Sequence, residues 1–416
     1  MSIRLFKKLP LLLEQSVFSG TGFMINIALV KLLGLEQYGI LASLIIFSHL
    51  LLSISQALVI QPMQVHISKA KALYSYRFIL LGLQLSLILF YLIVIMGISL
   101  ADFTSVDFGR APLLPFTLYL ATFILYDFYR KYFLATGRVT TALIIGMIYS
   151  ASTISLLLLT LSNQSTETLT TYLYVLMAGY LPALTVASVV YCQALALPGK
   201  DTLIKYLKIH LIDGQWLLYA AVVQWFSGNL YVMMSGLLIG IEALGVLRFI
   251  QSLFGLINIL LQTIENYVLP QLSRAYQVSL QHSYQAFQKS LGAYQLAILG
   301  GLALLFFFAE EVLRLAGSAE FVPYAYVLRG MVFLYVIIIV AYPIRLLIRI
   351  TELNKSYFAA YLISFLFSLL SYQFLLTHFG VTGAVLGLII NQLILQATWL
   401  IVLHKNQFNV WKLYTS

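Results

Sequence analysis

Charge and cysteine are both scarce in this sequence, and each shortage excludes something. Charged residues fill 9% of the 416 positions and the AVILMFWYC set fills 61%, whereas a soluble domain carries ~25% charge. So few charges cannot cover a water-facing surface, but a lipid-facing one needs none. The single cysteine, Cys192, excludes a disulfide framework and a cysteine zinc site. No G-x-S-x-G, H-E-x-x-H or P-loop occurs, so the chain is not expected to be an enzyme, to hold a cofactor or to hydrolyse ATP itself. The net charge of +10 is scattered in twos and threes between apolar runs, which excludes nucleic acid as a partner. What remains is a polytopic membrane protein.

About 20 apolar residues cross a bilayer as a helix. Counting on that basis predicts an all-α integral membrane protein with twelve spans, at 11–33, 38–60, 78–101, 112–130, 139–161, 169–192, 216–239, 244–269, 291–308, 322–344, 357–378 and 382–403. The runs are too long, and lack the alternation, for a membrane β-barrel. The N-terminus MSIRLFKKLPLLLEQ is basic then apolar, but no small-residue cleavage site follows, so it reads as an uncleaved first span. The expected organisation is a six-helix half over 1–192, a cytoplasmic linker over 193–215, a second six-helix half over 216–403 and a cytoplasmic tail over 404–416.

Orientation follows from lysine and arginine in short loops. With the N-terminus inside, 19 of the 24 basic residues fall on the inner face, from Arg4, Lys7 and Lys8 to Lys405 and Lys412. The acids reverse the pattern: Glu36, Asp102, Asp107, Glu167, Glu242, Glu310, Glu311 and Glu320 fall outside. Both termini are therefore expected in the cytoplasm.

The two halves repeat one another. GLEQYGIL at 34–41 returns as GIEALGVL at 240–247, an offset of 206 that also carries Gly22 onto Gly228 and Gln56 onto Gln262. Repeats with an even number of spans enter from the same side, so their axis is expected along the membrane normal, a transporter architecture.

Polar side chains at membrane depth are costly unless they face other helices or water. In the eighth span Arg248, Gln251, Gly255, Asn258, Gln262 and Glu265 share one face roughly 100° wide at 100° per residue. Narrower stripes align Gln15, Ser19, Gly22 and Asn26 in the first span, His49, Ser53 and Gln56 in the second, and Tyr119, Thr122, Tyr126 and Arg130 in the fourth. Each stripe reads either as interhelical hydrogen bonding or as the wall of a water-filled cleft. For the eighth, with an arginine at one end and a glutamate at the other, the cleft is the stronger reading. Arg248 and Arg329 either snorkel to the headgroups or face the cleft, where a guanidinium binds phosphate or carboxylate bidentately. Asp127 stands three and four residues before Arg130 and Lys131, a spacing that fits a local surface ion pair. His49 reads as a hydrogen-bonded interior histidine, and Glu14 and Glu265 as solvated near the inner ends of their spans.

The G-x-E-x-x-G loops, the inner-face YDFYRKYFLATGR from Tyr126 and FGVTGAVLGLIINQ from Phe379 together resemble one family across the chain. It is that of the polysaccharide and O-antigen flippases in the multidrug/oligosaccharidyl-lipid/polysaccharide exporter superfamily. The resemblance implies two pseudo-symmetric six-helix bundles forming a V-shaped cleft that opens alternately to either side. It implies movement of an undecaprenyl-diphosphate-linked oligosaccharide from the inner to the outer leaflet of a bacterial inner membrane, with a polysaccharide polymerase and a chain-length regulator as further partners. Arg248 and Arg329 would meet the diphosphate, and Gln251, Asn258, Gln262, Asn26, Gln15, His49 and Gln56 would line the cleft. Two deep cations are fewer than the lipid II flippases are expected to carry, which argues against that branch. Coupling to a proton or sodium ion would fall to Glu14, Asp127 or Glu265. The alternatives are a cation-coupled drug antiporter of the same superfamily, expected to favour acids in its cleft, and a membrane polysaccharide polymerase or ligase, expected to carry a large outer loop.

Overall fold

The computed structural model describes residues 9–100, 112–162, 168–193 and 195–414. Arg4, Lys7, Lys8, Asp102, Asp107, Arg110 and Glu167, on which part of the orientation rests, lie outside them, as do the side chains of Gln262, Glu265 and Lys289. Among the described residues every regular element is a helix.

Helix α1 runs Leu9–Ser55 and is broken at Gly34, whose φ of 69° is left-handed. A π turn, Gln56–Ile60, leads into α2, Gln61–His66. There follow α3 (Leu73–Leu100), α4 (Leu113–Ala135), α5 (Val139–Ser162), α6 (Leu169–Cys192) and α7 (Lys200–Leu238). Next come α8 (Ile241–Leu253), α9 (Gly255–Val278), α10 (Leu280–Phe307), α11 (Ala309–Ala316), α12 (Ala325–Val340), α13 (Tyr342–Ile350) and α14 (Asn354–Lys405), the last broken at Gly380.

Within the described residues all twelve expected spans fall on helix, with breaks inside the eighth at Phe254 and the tenth at Ala341. Among the described residues seven helices are individually long and apolar enough to cross a bilayer, and a bent pair, Tyr294–Phe307 with Ala309–Ala316, forms an eighth candidate. The helices broken at Gly34 and Gly380 each carry two expected spans. Left out of that set are 112–130, which carries Asp127 and Arg130, and 244–269, which is divided at Phe254 between a 13-residue helix and the next one. Apolar side chains such as Leu89, Phe90 and Ile93 are 57%, 58% and 62% exposed along one face of α3, a surface suited to hydrocarbon.

The chain divides into two compact units, and the division is interleaved. One comprises the chain through Leu33 with Leu44–Val222; the other comprises Gly34–Ser43 with Val223 onward. The linker expected over 193–215 is helix from Lys200, because α7 starts there and has its own packing in the first unit. Tyr206 and His210 are buried. The His210 ring bridges the Tyr76 hydroxyl and the Leu58 carbonyl at 2.9 Å each. The expected tail is likewise held: Leu413 is buried, and the Tyr414 hydroxyl donates to the Val340 carbonyl at 2.8 Å.

Polar contacts join helices inside each unit, as membrane interiors allow. In the first, Ser55 donates to Gln84 at 2.9 Å and Tyr149 stacks on Tyr180 at 4.3 Å. In the second, Asn391 donates to the Ser368 hydroxyl at 2.6 Å and to the Ser227 carbonyl at 3.0 Å.

Candidate functional site

Two polar centres lie inside the helices, one in each unit. The first is built by α1 and α4. Successive turns of α4 present Asp127 and Arg130, and α1 presents Glu14, Gln15 and Phe18. Arg130 Nε donates to Glu14 Oε1, while its Nη2 reaches Glu14 Oε2 at 3.1 Å and Gln15 Oε1 at 3.0 Å. The guanidinium also sits 3.7 Å from the centre of the Phe18 ring. Glu14 is 1% exposed and Arg130 2%.

Asp127 is equally buried, and its Oδ2 accepts from Gln56 Nε2 at 3.3 Å. Gln56 opens the π turn, where Gln61 N–H bonds to Gln56 O five residues back. Such a turn rotates the side chains that follow it and recurs at functional positions.

This geometry corrects two expectations. Asp127 and Arg130 do not form a local surface pair: both are buried, and the arginine is taken by Glu14, 116 residues away in sequence. Glu14 is not solvated, because the same guanidinium draws it into the bundle.

The second centre is a cavity of about 280 Å³ in the second unit. Among its wall residues are Asn258, Tyr342, Arg345, Tyr361, Gln396 and Trp399. Broken helices put them there. The chain leaves α8 at Phe254 and restarts as α9, which carries Asn258, and it leaves α12 at Ala341 and restarts as α13 with Pro343 in its first turn. Discontinuous spans of this kind place polar groups at depth in transporters. Asn258 donates to the Tyr335 hydroxyl at 2.8 Å, and Tyr342 donates to the Leu261 carbonyl at 2.8 Å. Trp399 stacks on Tyr357 at 5.4 Å. In this wall Arg345 Nε, Gln396 Oε1 and Trp399 Nε1 are buried without a hydrogen-bond partner, and each such group costs ~1–3 kcal/mol while it stays so.

The sequence-derived residues distribute between these places. Gln15, Gln56, Glu14 and Asp127 meet in the first centre. His49 packs its ring 5.8 Å from Phe123 and bonds to the Ile45 carbonyl at 2.7 Å. Asn26 is half-buried on α1, as are Arg248 and Gln251 on α8. Arg248 acts electrostatically on the same Tyr335 hydroxyl that Asn258 reaches. Arg329 goes elsewhere: its Nη2 meets Glu310 Oε1 at 3.2 Å and its Nε the Phe306 carbonyl at 3.3 Å. The acid is supplied by α11, which the reading of its own helix did not anticipate.

Arg345, Gln396 and Trp399 were not among the candidates. Arg345, one residue past the expected end of the tenth span, reads from sequence as an inner-loop cation. Gln392, Gln396 and Trp399 recur at spacings of four and three on the twelfth span, so they share a face; that stripe was legible in the sequence.

Together the helices define an all-α, multi-pass membrane protein. Neither the protein-family models nor the curated proteins give a match to this sequence. Solved structures do. The lipid II flippase MurJ in an inward closed conformation aligns with a TM-score of 0.75 at 12% identity, covering 98% of this chain and 89% of that one. The MATE multidrug transporter DinF-BH aligns at 0.67 and 16% identity, over 98% and 96%. A MOP superfamily transporter from Pyrococcus furiosus, whose structure is described as having a binding pocket of reverse polarity that suggests a different function, aligns at 0.56 and 12% identity, over 96% and 94%. At such identities the likeness is one of fold.

Proposed function

We propose that the protein is a flippase for a lipid-linked oligosaccharide carried on a diphosphate. It would act in a bacterial inner membrane with both termini in the cytoplasm, moving its substrate by alternating access. The observation that carries this reading is the balance of charge in the buried centres. Glu14 is neutralised by Arg130 and Asp127 is held by an amide, whereas the cavity of the second unit has a guanidinium in its wall and no carboxylate among its described lining residues. Such an interior suits an anionic cargo. A cationic drug would meet like charge at Arg345.

The likeness to a lipid II flippase agrees with a lipid-linked substrate, and the likeness to multidrug transporters keeps the antiporter as the second reading. In either case Asp127 is the better candidate for an exchangeable proton or sodium ion. Its carboxylate is bound by Gln56, whereas Glu14 is committed to a guanidinium.

Deletion of the gene tests the proposal. The expected result is loss of surface polysaccharide with lipid-linked repeat units accumulating on the cytoplasmic leaflet. Single repeat units displayed on the outer leaflet would point to a polymerase or ligase and overturn it. Intact polysaccharide together with new drug sensitivity would establish the antiporter instead.

A further inference from the structure

The cavity of the second unit carries three unmade hydrogen bonds of complementary kind. Arg345 Nε and Trp399 Nε1 are donors; Gln396 Oε1 is an acceptor. Trp399 is 1% exposed and Gln396 7%, so neither finds bulk water by turning outward. Native interiors rarely leave such groups unpaired, and each one calls for an explanation in a ligand or an ordered water.

Water alone is a poor explanation for the whole set. The wall holds a permanent cation, and the tyrosine hydroxyls of Tyr342, Tyr357 and Tyr361 act on it. Among the described side chains the groups that act on it are these neutral phenols, and none compensates its charge. A guanidinium in such a place calls for an oxyanion. The acceptor calls for a hydroxyl or amide donor beside that oxyanion. At about 280 Å³ the space lies at the small end of ligand pockets, which run ~300–1,000 Å³. It suits one sugar ring and excludes an oligosaccharide.

We infer that this cavity is a subsite for a single sugar-sized group bearing an oxyanion, which Arg345 and Trp399 hold by donation while Gln396 accepts from a neighbouring hydroxyl. The inference rests on the flippase reading for where such a group comes from. Two sources share the chemistry: the carboxylate of an acidic sugar in the repeat unit, and a phosphoryl group of the lipid carrier. On the expected topology Arg345 and Trp399 both stand toward the cytoplasmic ends of their helices, so the subsite would be loaded from the side on which lipid-linked sugars are made.

The test uses the full-length protein in detergent, with binding measured by calorimetry for glucuronate, inorganic phosphate and galactose. Saturable binding of glucuronate over galactose is expected if the source is an acidic sugar, and of phosphate over both if it is the carrier. Either result supports the subsite only if Arg345→Gln, and separately Trp399→Phe, weakens it about tenfold or more, the scale of a charged hydrogen bond. Gln396→Glu, nearly isosteric, should abolish binding by repulsion, and for all three variants an unchanged thermal-unfolding midpoint in detergent separates lost binding from lost folding. The inference is overturned if neither oxyanion binds at millimolar concentration, if galactose binds as well as the tighter of the two oxyanions, or if the three variants bind normally. Reconstituted vesicles separate this outcome from the broader one. A normal rate of lipid-linked oligosaccharide flipping by Arg345→Gln would sink the subsite and leave the flippase standing. Oxyanion binding by a wild-type protein that flips no such lipid would do the reverse.

Discussion

Gly39 and Gly245, equivalent members of two loops 206 residues apart, lie against each other: a β-carbon on Gly245 would stand 3.0 Å from the Gly39 Cα. A β-carbon on Gly39 would fall 2.4 Å from the Ile241 carbonyl oxygen, closer than backbone atoms tolerate. The first glycines of the loops, Gly34 and Gly240, match as well, with φ of 69° and 137°. Two glycines of each repeat thus end one helix and let the next pack closely. Gly39→Ala should cost at least the ~1–3 kcal/mol of an overpacked core, since the obstacle is backbone. The midpoint of thermal unfolding in detergent should fall accordingly, and an unchanged midpoint would deny the contact.

The Glu14–Arg130 pair gives the second prediction. Removing one partner of a buried pair typically costs ~3–5 kcal/mol, because the other charge is left uncompensated. Glu14→Gln and Arg130→Gln should each reduce membrane abundance severely. The double variant should recover part of the loss, which a pair of independent surface charges would not do.

Arg248 and Arg329 should part company. Arg248 lies on the polar stripe of the eighth span with Gln251 and Asn258, so Arg248→Ala should abolish export and Arg248→Lys should retain some of it, keeping the charge without the bidentate fork. Normal export from a well-expressed Arg248→Gln would make it a headgroup anchor. Arg329 forms a half-exposed pair with Glu310, worth ~0–1 kcal/mol. Arg329→Gln should export almost normally, and a clear loss would return it to the transport path.

Topology can be read directly. Reporter fusions at Asn163 and Ser318 should be periplasmic, and those at Lys200 and Ser416 cytoplasmic. A periplasmic signal at Lys200 would break the six-plus-six division.

Much of this fold was legible because a bilayer enforces simple rules: length and apolarity give spans, and basic loops give sides. The repeat was visible in loop residues, where glycine and glutamate have no hydrophobic reason to recur. Partner choice was hidden. Arg130 lies three residues from Asp127, yet its partner is Glu14, because burial makes any acid across the interface a stronger claimant than a solvated neighbour on the same helix. Arg345 was hidden for another reason: a cation just past a span looks like a loop residue until the break at Ala341 folds it under its neighbours.

The continuity of α7 has a practical meaning for anyone dividing this protein. A cut at residue 199, where hydropathy invites one, would hand Tyr206, His210 and Gly214 to the C-terminal fragment although their partners Tyr76 and Leu58 remain on the other piece. It would also strand Gly34–Ser43 away from Ile241 and Gly245. Each fragment would then lack a strip of chain that completes it and would display an unfilled seam of its own. The two pieces should accumulate only when made together, each serving as the other's missing part.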